Sequence, residues 1–221
     1  MDQWKTISIG SQVAIFGLTP QRITVAIGSN GTYAVTQEVE IASPSPKVCI
    51  ETMKVWDYRL NKLRVILLLA CDKDLIWYEL DESKQMKQIR QTRLLKSINK
   101  VSYFQHDGSD LIMLATVDDQ RVAEVEFYEF DLSTEDIWLV QAFKLPNIPE
   151  SMVCLDAGRH FLIAFTQDSH VAIFRHQHTK FERGKFAFMK NINAANVSII
   201  SGFRIGGHSY LAIGGDQPQI Y

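Results

Sequence analysis

The fold is decided by residues 101–143, which read VSYFQHDGSDLIMLATVDDQRVAEVEFYEFDLSTEDIWLVQAF. Short runs of β-branched, aromatic and aliphatic residues alternate here with turn-forming residues, at Asp107-Gly108 and at Asp118-Asp119. Runs of four to eight such residues, bounded by turn signals, are typical of β-strands. The segment therefore predicts four strands, at residues 101–104, 111–115, 124–130 and 137–143.

The same order of strands and turns recurs before and after this unit. An aromatic residue in each expected third strand marks the repeat, because Tyr78, Tyr128, Phe174 and Tyr221 follow one another at intervals of 50, 46 and 47 residues. Propeller blades of four strands have periods of about 40–50 residues. The sequence therefore predicts an all-β fold, a β-propeller of four-stranded antiparallel blades, with a sandwich or barrel lacking a true repeat as the alternative.

The repeat also predicts where the blades begin and end. We expect about four and a half blades: a weak first blade at 1–49, blades at 50–97, 98–145 and 149–192, and an incomplete blade at 193–221. In the weak first blade, strands are expected at 13–16, at 23–27 and near Tyr33. Because blades stack face to face, the second strands should be buried on both sides. These strands are expected at 65–71, 111–115 and 161–165.

Composition narrows the partners and the compartment. The formal net charge of −2 gives no overall positive field, so no nucleic-acid partner is expected. The longest apolar run, residues 65–71, is much shorter than the roughly 18 residues of a membrane helix, so we expect no transmembrane segment in this chain. The first five residues lack a basic and an apolar region. The chain is therefore expected to be intracellular or an internal fragment of a longer protein.

Cysteines and sequons give candidate modification sites. Cys49, Cys71 and Cys154 each lie in an apolar, strand-like stretch, where a buried free thiol is the expected state, although pairing outside the segment is an alternative. Asn30 and Asn196 each begin an Asn-X-Ser/Thr triplet and are possible glycosylation sites. Asn30 lies in a Gly-Ser-Asn-Gly stretch that is typical of an exposed turn.

Motifs with possible chemistry are few. His170, His176 and His178 suggest a metal site, but no Cys or carboxylate at ligand spacing completes it, so a polar blade edge is the preferred interpretation. The stretch around Ser209 lacks the second glycine and the helix of a nucleophile elbow. The acidic loops at 72–74 and 118–119 are interpreted as solvated turns. We therefore predict no catalytic residue, no metal and no cofactor.

One hydrophobic motif resembles a known family. Gly207-His208-Ser209-Tyr210-Leu211-Ala212-Ile213-Gly214, followed by Ile220-Tyr221, is similar to the epilepsy-associated repeat, or epitempin repeat. Residues 158–165 with 173–174, and residues 108–115 with 127–130, are looser copies. The Trp that follows the Ile-Tyr pair in the family is absent, as is the Asn after the Ala strand. The resemblance implies a divergent member and a seven-bladed ring of which this chain supplies a part.

The resemblance also carries the functional expectation. The propellers of the epilepsy-associated repeat family are extracellular and bind other proteins in adhesion, receptor and matrix assemblies. We therefore expect a non-catalytic protein–protein interaction module of a longer extracellular, matrix or cell-surface protein, with an intracellular propeller scaffold as the alternative. A third class, an enzyme that uses a propeller pocket, has no residues in the sequence to recommend it. The binding face and the identity of the partner protein are left open.

Overall fold

The protein is all-β. The computed structural model describes residues 3–41, 47–106, 108–131, 134, 136–156, 161–177, 185–194, 196–216 and 218–221. These residues form nineteen strands in five antiparallel sheets. Within the same ranges, no helix is long and apolar enough to cross a membrane. The predicted β-propeller of four-stranded antiparallel blades is confirmed, and five blades are present.

Each blade is an up-and-down sheet whose spatial order follows the chain. The first blade contains β1 (Gln3–Ile9), β2 (Gln12–Leu18), β3 (Arg22–Ser29) and β4 (Thr32–Glu40). The second contains β5 (Val48–Asp57), β6 (Lys62–Cys71), β7 (Asp74–Leu80) and β8 (Met86–Arg93). The third contains β9 (Ser97–His106), β10 (Ser109–Val117), β11 (Ala123–Asp131) and β12 (Asp136–Leu145). The fourth contains β13 (Met152–Asp156), β14 (Phe161–Gln167), β15 (His170–Gln177) and β16 (Lys185–Asn193). The fifth has three described strands, β17 (Ile199–Ile205), β18 (His208–Gly214) and β19 (Gln219–Ile220).

A repeated β-bulge fixes the equivalence of the blades. In each of the first four blades the register between the third and fourth strands shifts at one place, directly before Ala26, Tyr78, Tyr128 or Phe174. Three of the four aromatic residues that marked the repeat in the sequence, Tyr78, Tyr128 and Phe174, therefore occupy equivalent positions. From the sequence we also expect Trp77, Tyr128 and Phe174 to occupy equivalent or adjacent places in third strands, and this prediction is confirmed, because Trp77 lies directly before the bulge and the other two directly after it.

The expected third strand near Tyr33 is wrong. Tyr33 lies in β4, and the strands expected at 13–16 and 23–27 are the second and third of the first blade. The first strand, β1, has a weak sequence signal because its outward side chains are exposed, among them the large apolar Trp4. An apolar residue on an open face removes the clean alternation by which a half-buried strand is detected.

Core clusters between neighbouring blades hold the propeller together. One core lies between the first and second blades, and further cores lie between the second and third, the third and fourth, and the fourth and fifth. In the second strands both faces contribute, so Leu68 and Leu114 join one core while Leu67 and Met113 join the cores on either side of it. The unbroken apolar runs of the sequence are thus explained by burial on both sides.

Side-chain hydrogen bonds join neighbouring blades at their outer edges. The amide of Gln37 in β4 donates to the carbonyl of Met86 in β8, at 3.3 Å, and its oxygen accepts from the Met86 amide, at 2.5 Å. The side chain of Gln141 in β12 makes the same pair of bonds with Phe186 in β16, at 2.9 and 2.8 Å. Each glutamine side chain thus mimics one rung of a β-ladder and fixes one blade against the next.

Large apolar side chains are exposed on the outer faces of the first and fifth blades. Trp4 on the outer face of the first blade is 64% exposed, and Ile205 on the outer face of the fifth is 63% exposed. Among the described residues, no core cluster combines the first and fifth blades. The seven-bladed ring implied by the resemblance stays a prediction.

Truncation of a second-strand core residue should destabilise the whole domain. Leu68, Leu114 and Ile163 are fully buried, so replacing any one of them by alanine should cost about 2–5 kcal/mol of unfolding free energy. Chemical denaturation measures this cost. Leu95→Ala is the matched control, because Leu95 is 90% exposed and should change stability by less than about 0.5 kcal/mol. Equal effects at Leu68 and Leu95 would contradict the assigned core.

Candidate active site

The structure separates the histidines that suggested a metal. Nδ1 of His176 lies 2.8 Å from Nε2 of His106, and both rings pack against Phe161 or Phe186 between the third and fourth blades. His170 begins β15 and lies beside the turn residue Ser169, and His178 falls outside the described residues. Over the described part of the chain, no three His, Cys, Asp or Glu side chains come together as a metal site. The His106–His176 pair links two blades.

The other sequence-predicted positions are also accounted for by local structure. Asp118 accepts hydrogen bonds from the backbone of its own turn, and the Ser209 hydroxyl donates to the backbone carbonyl of Asp156. A serine so engaged is not paired with a base, as a nucleophile would be. Asn30 is exposed in the turn between β3 and β4. Asn196 is also exposed, and its amide donates to Asp216 at 2.5 Å.

The three cysteines lie in strands and form no disulfide with one another. Cys49 and Cys71 are buried, Cys154 is partly buried, and none forms a disulfide. Burial raises the pKa of the Cys49 thiol to about 12, and it raises the pKa of Cys154 as well. Because the thiolate is the reactive form, these cysteines are poor nucleophiles near neutral pH.

A concave site lies between the second and third blades. The turns that join first to second strands, and third to fourth strands, lie at one end of the blades, which we call the upper face. There a cavity of about 510 Å³ opens, a volume typical of small-molecule sites. We call it the blade 2/3 crevice, and it is lined by residues 55–59, 108–110, 129–131 and Trp138.

Two of the four carboxyl residues that line this crevice, Asp57 and Asp110, face it from opposite walls. Asp57 follows Val55 at the interval of two that keeps side chains on one face of a strand, and Val55 packs in the core between the two blades. By the same spacing, Asp110 precedes Ile112, which packs in that core from the other side. The strand alternation therefore directs both aspartates into the space between the second and third blades.

Asp57 is held as a carboxylate. Its Oδ1 accepts from the backbone amides of Leu60 and Arg59, each at 3.0 Å, and its Oδ2 accepts from Arg64 at 3.3 Å. These bonds hold the pKa of Asp57 below its usual value, and the bond from the Leu60 amide has the largest effect. Arg64 also donates to both oxygens of Glu79, at 2.9 and 2.8 Å, so the guanidinium is itself fixed in place.

Asp110 has the opposite environment. Burial raises the pKa of its carboxyl group above the usual value, although hydrogen bonds to Oδ1 from Tyr103, at 2.6 Å, and Gln105, at 3.4 Å, act against this shift. Among the described residues, Oδ2 of Asp110 takes part in no hydrogen bond. Asp110 is therefore the carboxyl group of the crevice that is suited to carry and donate a proton.

Aromatic and polar side chains complete the crevice. Phe130 lies in its lining and is stacked on the buried Trp77, with ring centroids 4.3 Å apart. Glu129 accepts from the Trp138 indole at 3.2 Å and from Ser109 at 2.9 Å, which fixes the indole at the edge of the cavity. Tyr58 stands on the opposite rim and is 85% exposed. The crevice thus offers flat apolar surfaces beside hydrogen-bonding groups.

Sequence inspection misses this site because its parts are far apart. Asp57 and Asp110 are separated by 53 residues, and each resembles part of an ordinary turn or strand end. The one usable signal is their placement, since each lies next to the first-to-second strand turn of consecutive repeats. Such a signal becomes specific only when the packing of blades is known.

The comparisons with known proteins give a likeness of fold. No family model matches the chain, and no curated protein matches its sequence. An exo-β-1,3-galactanase from Clostridium thermocellum superposes with a TM-score of 0.59 at 9% identity, over 96% of this chain and 54% of that one. An exo-β-1,3-galactanase from Phanerochaete chrysosporium, solved with β-1,3-galactotriose, gives 0.63 at 10%, over 95% and 55%. The chain thus spans about half the length of these two galactanases.

A third solved structure is covered more fully. It is a GH43 β-1,3-galactosidase with galactodeoxynojirimycin, which superposes with a TM-score of 0.57 at 8% identity over 95% of this chain and 84% of that one. Identities this low establish a shared fold and nothing finer.

These matches correct the functional expectation. The predicted non-catalytic interaction module, with its alternative of an intracellular scaffold, is wrong, and so is the prediction that the chain is not an enzyme. The three solved structures compared above are glycoside hydrolases. The prediction rested on a family motif made of core strands, and core residues report on packing and not on function.

Proposed function

We propose that this chain is a carbohydrate-active propeller that hydrolyses a glycosidic bond in the blade 2/3 crevice. One observation carries the proposal: the crevice contains two carboxyl groups whose pKa values are displaced in opposite directions, that of Asp57 downward and that of Asp110 upward. Glycoside hydrolysis requires such a pair, one carboxylic acid to protonate the leaving oxygen and one carboxylate.

The roles follow from the environments. Asp110 would donate its proton from Oδ2 to the oxygen of the scissile bond, and the bond between that oxygen and the anomeric carbon would break. Asp57, ionised and fixed by Arg64, would stabilise the positive charge that develops on the sugar and take a proton from the attacking water. The water supplies the hydroxyl group of the new hemiacetal, so no further reactant is needed.

The rest of the lining suits a sugar. Tyr58 and Trp138 present rigid flat rings at the two rims, and such rings combine a large apolar area with a polar edge. A pyranose has a comparable character, with an apolar face and hydroxyl groups around its edge. Arg59 and Glu129 lie in the same lining and can bond those hydroxyl groups. The names of the similar structures make galactosides the first substrates to test.

A substrate panel tests the proposal. The purified chain should release p-nitrophenol from at least one aryl glycoside, or reducing sugar from a β-1,3-galactan or another polysaccharide. Release by an Asp119→Asn control, altered at an exposed carboxylate on the opposite face, should equal that of the unchanged chain. Sugar binding without turnover over the whole panel would contradict the hydrolytic proposal.

A further inference from the structure

A second cavity opens at the upper face, on the other side of the hairpin formed by β5 and β6. It lies between the first and second blades and has a volume of about 230 Å³. We call it the blade 1/2 cavity. Five of its eleven lining residues are aliphatic, and the other six, among them Lys62 and Glu82, are polar or charged; the aliphatic members are Ile9, Ile27, Leu63, Val65 and Leu80. Aliphatic walls with a charged rim suit an apolar group better than a sugar.

The hairpin between β5 and β6 connects the two sites with exposed apolar surface. Trp56 is paired with Leu63 in the register, so their side chains lie next to each other on one side of the hairpin. They are 42% and 50% exposed, and at the tip of the hairpin Leu60 is 60% and Tyr58 is 85% exposed. Apolar side chains that are exposed together, beside a pocket, are a common mark of a ligand-binding surface. We call these four residues the apolar ridge.

The two sites lie on the two sides of one blade. Arg64 donates to Asp57, which lines the blade 2/3 crevice, and to Glu79, which lines the blade 1/2 cavity. Asp57 and Glu79 thus contact the same guanidinium, that of Arg64, whose side chain is 8% exposed. Packed sheets lie about 10 Å apart, so the crevices on the two sides of one blade are separated by about that distance. One ligand of moderate length can therefore reach both.

Building on the proposed function, we infer that the substrate is an amphiphilic glycoside. Its sugar occupies the blade 2/3 crevice, and its apolar aglycone, an alkyl or acyl chain, crosses the apolar ridge and enters the blade 1/2 cavity. The blade 2/3 crevice offers hydrogen-bonding groups for the sugar, and the blade 1/2 cavity offers aliphatic side chains for the apolar chain. A purely polar oligosaccharide would leave the aliphatic floor of the second cavity without a complementary group.

Two alkyl glycosides test this inference by isothermal titration calorimetry. Methyl β-D-galactoside carries the sugar alone, and octyl β-D-galactoside, kept below its micellar concentration, adds the apolar chain. The octyl compound should bind about 10- to 100-fold more tightly, because burial of about two or three methylenes, at about fourfold each, gives a ratio of this size. Leu63→Gln should reduce this ratio to below about threefold. Leu95→Gln, which alters an equally apolar residue that is 90% exposed elsewhere, should keep the full ratio.

The outcomes separate this inference from the proposal on which it rests. Equal affinity for the two galactosides would overturn the amphiphilic substrate and leave the sugar site in place. Affinity that instead rises with the length of a galacto-oligosaccharide, and is lost in Leu63→Gln, would overturn it in favour of a polysaccharide. If octyl galactoside and octanol bind equally and methyl galactoside does not bind, the sugar site itself is wrong. Should the substrate panel identify another sugar, the same pair of its alkyl glycosides is used.

Discussion

Asp110→Asn is expected to lower the hydrolytic rate about 100- to 10 000-fold, the usual contribution of a general acid. The amide is close in size to the carboxyl group and can still accept the hydrogen bond from Tyr103, so the fold should be preserved. It cannot give a proton to the leaving oxygen. The rate with an activated aryl glycoside should fall less, because a good leaving group needs little protonation. Asp119→Asn, at a carboxylate that is 85% exposed, should leave both rates unchanged.

The pH profile gives an independent check of the same role. A proton donor is active in its protonated form, so the rate should decline as the pH rises through the pKa of Asp110, which burial raises. The Tyr103 hydrogen bond lowers that pKa, and Tyr103→Phe should therefore move the alkaline limb to higher pH. A profile whose alkaline limb is the same in the unchanged chain and in Tyr103→Phe would remove Asp110 from the role of acid.

Arg64→Met is expected to destabilise the domain by about 3 kcal/mol, because removing one partner of a buried ion pair leaves the other charge uncompensated. The guanidinium is 8% exposed and is bonded to two carboxylates, which the substitution would leave without their counter-charge. Urea denaturation at pH 7 measures the loss. The Arg22–Glu38 pair is a matched control, because each side chain is 51% exposed, and Arg22→Met should cost less than about 1 kcal/mol.

The loss of stability caused by Arg64→Met should become smaller at low pH. The pKa of Asp57 is lower in the folded chain than in the unfolded one, so its stabilising contribution is present above the unfolded value of about 3.9. It fades as the pH falls through the lower, folded value. The difference in stability between the two proteins should therefore narrow below about pH 4. A difference that stays constant from pH 7 to pH 3 would mean that Arg64 stabilises through packing alone.

The repeat could be predicted because its cause is local and recurs. Each second strand must be apolar on both faces, as Leu67 and Leu68 show, and each third strand from the second to the fourth blade carries a large residue at its bulge, as Tyr128 shows. These requirements appear at nearly the same spacing in successive copies. In the first blade the prediction omits β1, so the blade's second and third strands are assigned as the first and second. The reason is that the outer face of β1 is open and Trp4 there breaks the alternation.

The candidate site could not be predicted in the same way. The sequence by itself determined the all-β class, the four-stranded repeat and the buried second strands, because burial forces apolar residues into a regular pattern. Only the tertiary structure brought Asp57 and Asp110 to one crevice and gave them unlike surroundings, with Arg64 beside the first and burial around the second. A pKa depends on what lies within a few ångströms in space, and the residues that surround this crevice come from different blades.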